Sequence, residues 1–190
     1  MKPRDPEKER ALFEATLRVA DREGLETLTV QKVAREAGLA VGTLYVYFEG
    51  KEDLLRRLYL RSKAAAGARM FQGYSPDLPF RQAFRLLCRN HFQFLVENRR
   101  DVRFQAQFYR SGFADVPTRT EARAALAAAE ALVRRGQRED LVRAWEPALV
   151  LRFVLSVLKE AAAEAEGKGP EAAAELVERA TEFCLAGIAV

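Results

Sequence analysis

Apolar residues recur at three- and four-residue intervals along most of the chain, the spacing that lays a stripe down one face of an α-helix. Phe13, Thr16, Leu17 and Ala20 hold that register from about residue 7, and Gly24 follows as a predicted C-terminal cap in the left-handed conformation. Leu28 and Thr29 then read as a start signal. The threonine hydroxyl caps a short helix running to about residue 37, and Leu28 staples against Val33. Gly38 supplies a turn, and a third helix from about Val41 to Tyr47 or Phe48 directs Leu44 and Phe48 inward. Gly50 opens a fourth helix that carries Leu54, Leu55 and Leu58 and continues past Ala65.

Residues 73–79, GYSPDLP, are the strongest loop signal and divide the chain. Beyond them Phe84, Leu87, Cys88, His91, Phe92 and Leu95 mark the wide apolar face of a long helix, and shorter helical material carries Phe104 and Phe108. Residues 111–117 read as a second loop. One further helix follows, with Ala122, Ala125, Leu126, Ala129, Leu132 and Val133, ending near Gly136. Residues 145–166 are apolar nearly all round at their centre, ALVLRFVLSVL, and the last helix carries Leu176, Val177, Ala180, Phe183, Cys184 and Gly187. That pair bears more apolar surface than one small domain covers, which predicts a second copy packed against it as a symmetric four-helix bundle.

The pattern therefore predicts an all-α protein of about nine helices. Residues 1–50 form a helix-turn-helix domain, helix 51–70 connects, and residues 71–190 form a second helical domain. Composition agrees, since alanine and arginine abound while glycine and proline are sparse. The formal net charge of +4 and pI near 9.2 permit nucleic-acid binding without demanding it. Residues 1–63 hold 13 Lys plus Arg against 11 Asp plus Glu, so any DNA footprint must come from placement of charge rather than bulk. Residues 1–6, with two prolines, are expected to be loosely ordered. No apolar stretch has the form of a signal peptide or a membrane span; the longest, at 149–158, is too short and contains Arg152. The expectation is a cytoplasmic protein with no membrane contact, no cofactor and no resident metal. Cys88 and Cys184, both in apolar helical patterns, are expected to be buried free thiols.

Two short helices across a glycine turn make a helix-turn-helix, whose second helix fits the DNA major groove. The residues that carry this pattern, Gly24, Thr29, Val33, Ala34, the AG of Ala37 and Gly38, the GTLY of Gly42 to Tyr45, Phe48, Lys51, Glu52 and Leu54, resemble the TetR family of bacterial transcriptional regulators. The resemblance covers about residues 10–58. It implies a homodimeric repressor with a palindromic operator, joined through its last two helices and released by a small-molecule effector. It implies phosphate contacts at Thr29, Tyr45 and Lys51, and base-edge or groove contacts at Gln31, Val41, Thr43 and Tyr47, with Gly42 permitting close approach. Ala40 departs from the serine common there, and alanine is a poor N-cap. The third helix has no arginine or asparagine for a bidentate base contact, so phosphate positioning and DNA shape are expected to carry much of the specificity.

Aromatic side chains facing alanines leave room for a cavity, and Phe84, Cys88, His91, Phe92, Phe104, Phe108, Trp145, Leu149 and Phe153 are the candidate effector-binding residues. Arg89, Arg99, Arg100, Arg103, Arg110 and Arg119 flank these segments, so an apolar ligand with an anionic end, such as a fatty acyl-CoA, is the expected effector. The alternative is a regulator of an efflux or stress gene that answers a cationic drug, a metal or a thiol oxidant, with Cys88 and His91 three apart on one face. An enzyme is disfavoured because the chain has one histidine, no phosphate loop and no nucleophile elbow. A purely structural helical adaptor would leave Tyr45, Tyr47 and Lys51 without a purpose.

Overall fold

The computed structural model describes residues 5–190, so the expectation for residues 1–4 lies outside the described part. Ten α-helices are described: α1 (Pro6–Glu23), α2 (Val30–Glu36), α3 (Val41–Tyr47), α4 (Lys51–Met70), α5 (Phe80–Glu97), α6 (Arg99–Arg110), α7 (Val116–Ala124), α8 (Ala127–Arg138), α9 (Pro147–Glu164) and α10 (Pro170–Ile188). No helix among the described residues is long and apolar enough to cross a membrane. Two compact units are formed. One comprises the chain up to Lys63 together with Arg99–Ala122, the other Ala64–Asn98 together with Arg123–Val190. The long loop at 73–79 thus falls inside the second unit, and α6 and most of α7 pack with the N-terminal helices.

The local signals in the first unit act as read, with small differences. Asp5 is the N-cap of α1, its carboxylate accepting from the backbone N–H of Glu7 at 3.0 Å, so helix begins at Pro6 and order reaches back to residue 5. Gly24 adopts φ 78° and ψ 166°, an extended conformation open essentially to glycine alone, rather than the left-handed helical one. Thr29 caps α2 by accepting from the N–H of Lys32 at 3.3 Å. At the end of α2 the N–H of Leu39 bonds the carbonyl of Ala34 at 2.9 Å and that of Gly38 bonds Arg35 at 3.1 Å. This crossed pair is a Schellman stop, with Gly38 at φ 68° in the position where a side chain would be strained. Leu12, Val19, Leu28, Val33, Leu44, Phe48, Leu54 and Leu55 fill the core beneath.

Phe104 and Phe108 belong to that same core. Phe108 is fully buried and stacks on Tyr59 with ring centroids 4.6 Å apart, while Phe104 lies 6.0 Å from Phe108. Both α6 and α7 are held there partly by ion pairs, such as Arg103 with Asp21 at 2.7 Å, which together with Arg100 holds the Asp21 carboxyl below its ordinary range.

The chain beyond α6 corrects three readings. The predicted single helix between residues 122 and 136 is two helices, because the chain leaves helical geometry at Ala125 and Leu126; this accounts for ten helices rather than about nine. Pro117 is helical too. Asp115 accepts from the N–H of Thr118 at 2.9 Å and starts α7 around the proline, which a first turn tolerates. Gly136 does not end α8 but sits buried inside it. A Cβ there would meet the Phe80 ring at 2.5 Å and Val142 at 2.7 Å, so the glycine exists to let α8 approach α5 and the loop that follows. Gly136→Ala is expected to cost about 1–3 kcal/mol through overpacking, checked by urea unfolding with an unchanged m-value.

Candidate nucleic-acid interface and apolar cavity

The helix-turn-helix is a rigid display. Leu44, Tyr47 and Phe48 turn inward from α3, which by helical spacing turns Gly42, Tyr45 and Val46 outward. Tyr45 and Val46 are 54% and 55% exposed, so α3 displays an aromatic and an aliphatic side chain next to each other. Val41 and Thr43 are half-buried at the edges of this face, and Ala40 is exposed and makes no side-chain cap. Gln31 is exposed on α2, as is Arg35 one turn on. Val46 of α3 and Arg35 of α2 are exposed beside the expected residues as well. The inward spacing of Leu44 and Phe48 already implied Val46, whereas Arg35 carries no positional signal beyond its charge.

Two expected contact residues are engaged within the protein. Tyr47 is buried, not presented to a groove. Its hydroxyl accepts from the backbone N–H of Asp5 at 2.9 Å, and its carbonyl accepts from Arg57 at 2.7 Å, so it ties α3 to the starts of α1 and α4. Its ring packs with Phe48, which explains the correction: a residue three beyond Leu44 shares the inward face. Tyr47→Phe is expected to cost about 1 kcal/mol of stability with no change in DNA sequence preference, measured by thermal unfolding and operator titration. Lys51 is half-buried and its ammonium donates to the carbonyl of Leu25 at 2.8 Å and of Glu26 at 3.4 Å. Desolvation pushes its pKa down, with a smaller lowering from nearby Lys32, and the ammonium lies 5.4 Å from the Phe113 ring centroid. Lys51 thus fixes the segment before α2, while the first-turn amides of α4 remain beside it. Lys32 is likewise engaged, with Glu23 at 2.7 Å and the carbonyl of Thr27 at 2.9 Å, and hydrogen bonds from Lys32 and Arg22 hold Glu23 below the usual carboxylate range.

The second unit holds a cavity of about 20 Å³ whose accessible lining is wholly apolar. Met70 of α4, Leu87, Cys88 and His91 of α5, Ala129, Leu132 and Val133 of α8, and Leu151, Val154, Leu155 and Leu158 of α9 surround it with Phe84. Of the candidate effector residues, Phe84, Cys88 and His91 come together here. Phe92 is buried in a separate small cluster with Ala162, Ala165 and Val177, and Phe104 and Phe108 lie in the first unit. Trp145 and Leu149 are 47% and 51% exposed, and Phe153 packs against Phe183 at 6.2 Å on the α9–α10 face. Helical periodicity marks a residue as inward-facing but not which interior it enters.

None of the flanking arginines lines the cavity. Arg89 pairs with Glu178 at 2.8 Å, Arg100 and Arg103 pair with Asp21, and Arg119 lies over the Tyr109 ring. Burial pushes the Cys88 thiol well up, helped by neighbouring Cys184, whose own thiol is pushed up to about 12. Both stay protonated, and a thiol without its thiolate is a poor nucleophile and metal ligand. Among the described residues no three His, Cys, Asp or Glu side chains converge on a site that could hold a metal.

A helix-turn-helix whose second helix is exposed is a DNA-binding arrangement, and the second unit adds a small apolar cavity. Residues 12–58 match the bacterial regulatory proteins of the tetR family. That match is confined to α1, the helix-turn-helix and the start of α4, the part of the chain that is similar to that family. An HTH-type transcriptional regulator of Haemophilus influenzae is 37% identical over 87 residues, 46% of each chain. Curated relatives are matched over less than half of their length. The fold extends further: a TetR family transcription regulator from Marinobacter aquaeolei superposes with TM-score 0.88 over 100% of this chain and 99% of its own at 22% identity. FadR from Bacillus subtilis, in complex with stearoyl-CoA, superposes with TM-score 0.75 over 94% of this chain and 98% of its own at 20% identity.

Proposed function

We propose that this protein is a homodimeric repressor that binds a palindromic operator and releases it when a fatty acyl-CoA, or an effector of similar apolar character, enters the second unit. The observation that carries the effector class is the cavity wall, which has no carboxylate, lysine or arginine. A cation buried there would meet no compensating charge and would carry its desolvation cost unrelieved. The acyl-CoA complex of the structurally similar Bacillus subtilis FadR supports the reading.

On the DNA side, Gly42, Tyr45 and Val46 face the groove, flanked by Val41 and Thr43, with Gln31 and Ala40 at the turn. Thr29, Tyr45 and the first turn of α4 beside Lys51 meet phosphates, where amides and the positive helix end favour an anion. Valine and threonine suit thymine methyls, and the remaining specificity resides in DNA shape. On the partner side, Leu149, Phe153 and Phe183 present an apolar face on α9 and α10 that a second copy covers.

Occupancy reaches α4 because Met70, its last residue, lines the cavity, while the same helix begins at Lys51 beside the turn. Two half-sites one turn of DNA apart can be engaged together only at one separation of the α3 helices, so a modest tilt of α4 suffices for release. Calorimetric titration with palmitoyl-CoA, and in parallel with the lipophilic cation tetraphenylphosphonium, tests the effector class. Saturable binding of the acyl-CoA with weakened operator affinity is expected; the same response to the cation alone would overturn it.

A further inference from the structure

The end of α4 is held by a buried side chain that neither the cavity nor the helix-turn-helix accounts for. Asn90 of α5 is 8% exposed, and its amide nitrogen donates to the carbonyl of Met70 at 3.1 Å and of Gln72 at 2.8 Å. These are carbonyls at and just past the helix C-terminus, where no helical N–H remains to satisfy them. Both hydrogens of one amide are thus spent on joining α5 to the end of α4. Met70 is bound twice over: its side chain lines the cavity and its carbonyl is held by Asn90. On the α5 side, Leu87, Cys88 and His91 line the same cavity within one turn of Asn90.

The free space is about 20 Å³. That admits about one water-sized group, so an acyl chain enters only by displacing the wall. The wall can yield either at the unbranched Met70 or by outward movement of α5. While the Asn90 bonds hold, the two surfaces move as one piece and the end of α4 follows α5. We propose that Asn90 is the latch that couples filling of the cavity to displacement of α4. It is a positioning residue, touching neither effector nor DNA. A second tie runs on the surface, where Arg69 reaches Gln93 at 3.2 Å and Glu97 at 3.6 Å, but solvent competes for those contacts and they carry little coupling.

This inference rests on the apolar-effector reading for its purpose but is tested without an effector. Ala129, buried in the cavity wall, is changed to leucine so that the added methyls fill the space from within. Amide hydrogen exchange of residues 66–72 is then compared in four full-length proteins: wild type, Ala129→Leu, Asn90→Ala, and the double variant. Ala129→Leu is expected to alter exchange at the end of α4 by about fivefold or more when Asn90 is present and by less than about twofold when it is absent. Asn90→Asp, of the same shape but without the donors, is expected to behave as Asn90→Ala, and Arg69→Ala as wild type. An equal response to Ala129→Leu with and without Asn90 overturns the latch. So does failure of both Asn90 variants to unfold cooperatively, which would make the residue a structural support only. If palmitoyl-CoA fails to bind wild type while the exchange response still depends on Asn90, the effector reading falls and the latch stands.

Discussion

Phe183→Glu is expected to convert the proposed dimer to a monomer and abolish operator binding, lowering the thermal midpoint only by the stabilisation that dimerisation supplies. Phe183 is 62% exposed in the single chain, so its removal takes little from the chain's own core. Its ring lies 6.2 Å from that of Phe153, it borders a groove lined by Val157, Ala161 and Leu176 together with Glu160, Glu164 and Arg179, and nearby Gly187 is so close to Phe153 that an added Cβ would sit 3.1 Å from the ring. Leu149 extends the same apolar face. In a two-fold interface one substitution acts twice, and a central aromatic is worth about 2 kcal/mol or more per copy, so the dimer Kd is expected to rise by about a thousandfold or more. The introduced carboxylate would also be desolvated opposite its own copy. Sedimentation velocity across a concentration series reads the change. A wild-type protein that sediments as a monomer, or a variant that remains dimeric, contradicts the assignment of this face.

Phe108→Ala is expected to cost about 3–5 kcal/mol, a large share of the roughly 5–15 kcal/mol that holds a domain folded. The ring is fully buried between Tyr59, Phe104 and Phe113, and a cavity left among stacked aromatics collapses poorly. Desolvation already pushes the Tyr59 hydroxyl pKa up, a sign of how little water reaches the site. Heat or denaturant unfolding measures the loss. If Phe108 instead lined the effector site, the variant would keep its stability and lose acyl-CoA affinity; the packing described here predicts the opposite pattern.

That contrast shows where the sequence stops being legible. The first helices could be read almost residue by residue because their ends are written in side chains with local chemistry: Thr29 caps its own helix, Gly38 alone fits its turn, and Leu44 and Phe48 declare a face. The burial of Tyr47 follows from its spacing from Leu44, whereas the family resemblance assigns that position to the groove. From residue 120 to 131 the chain is nearly featureless, dominated by alanines that favour helix without marking an end, so the break at Ala125 and Leu126 left no trace. The aromatic helices posed a different problem. Phe84 and Phe108 have the same local pattern, yet one lines the cavity and the other fills the first unit, a distinction made by long-range packing alone. The role of Gly136 was hidden for the same reason, since nothing near it in sequence announces the Phe80 ring. Asn90 stands inside an apolar face, and a lone amide among Leu87, Cys88 and Phe92 is the kind of residue that must find buried partners, but its partners at the end of α4 leave no local mark in the sequence.

The acyl-CoA reading and the dimer assignment converge on one requirement, that α3 be displayed in pairs at a spacing the effector can alter. Selection of binding sites by the full chain from a random pool of double-stranded DNA, with and without palmitoyl-CoA, tests this most directly. The expected result is a palindromic sequence whose half-sites lie about one helical turn apart, bound with an affinity that falls steeply with salt, and lost when palmitoyl-CoA is added. Failure to enrich any sequence, or enrichment that palmitoyl-CoA leaves untouched, would contradict it.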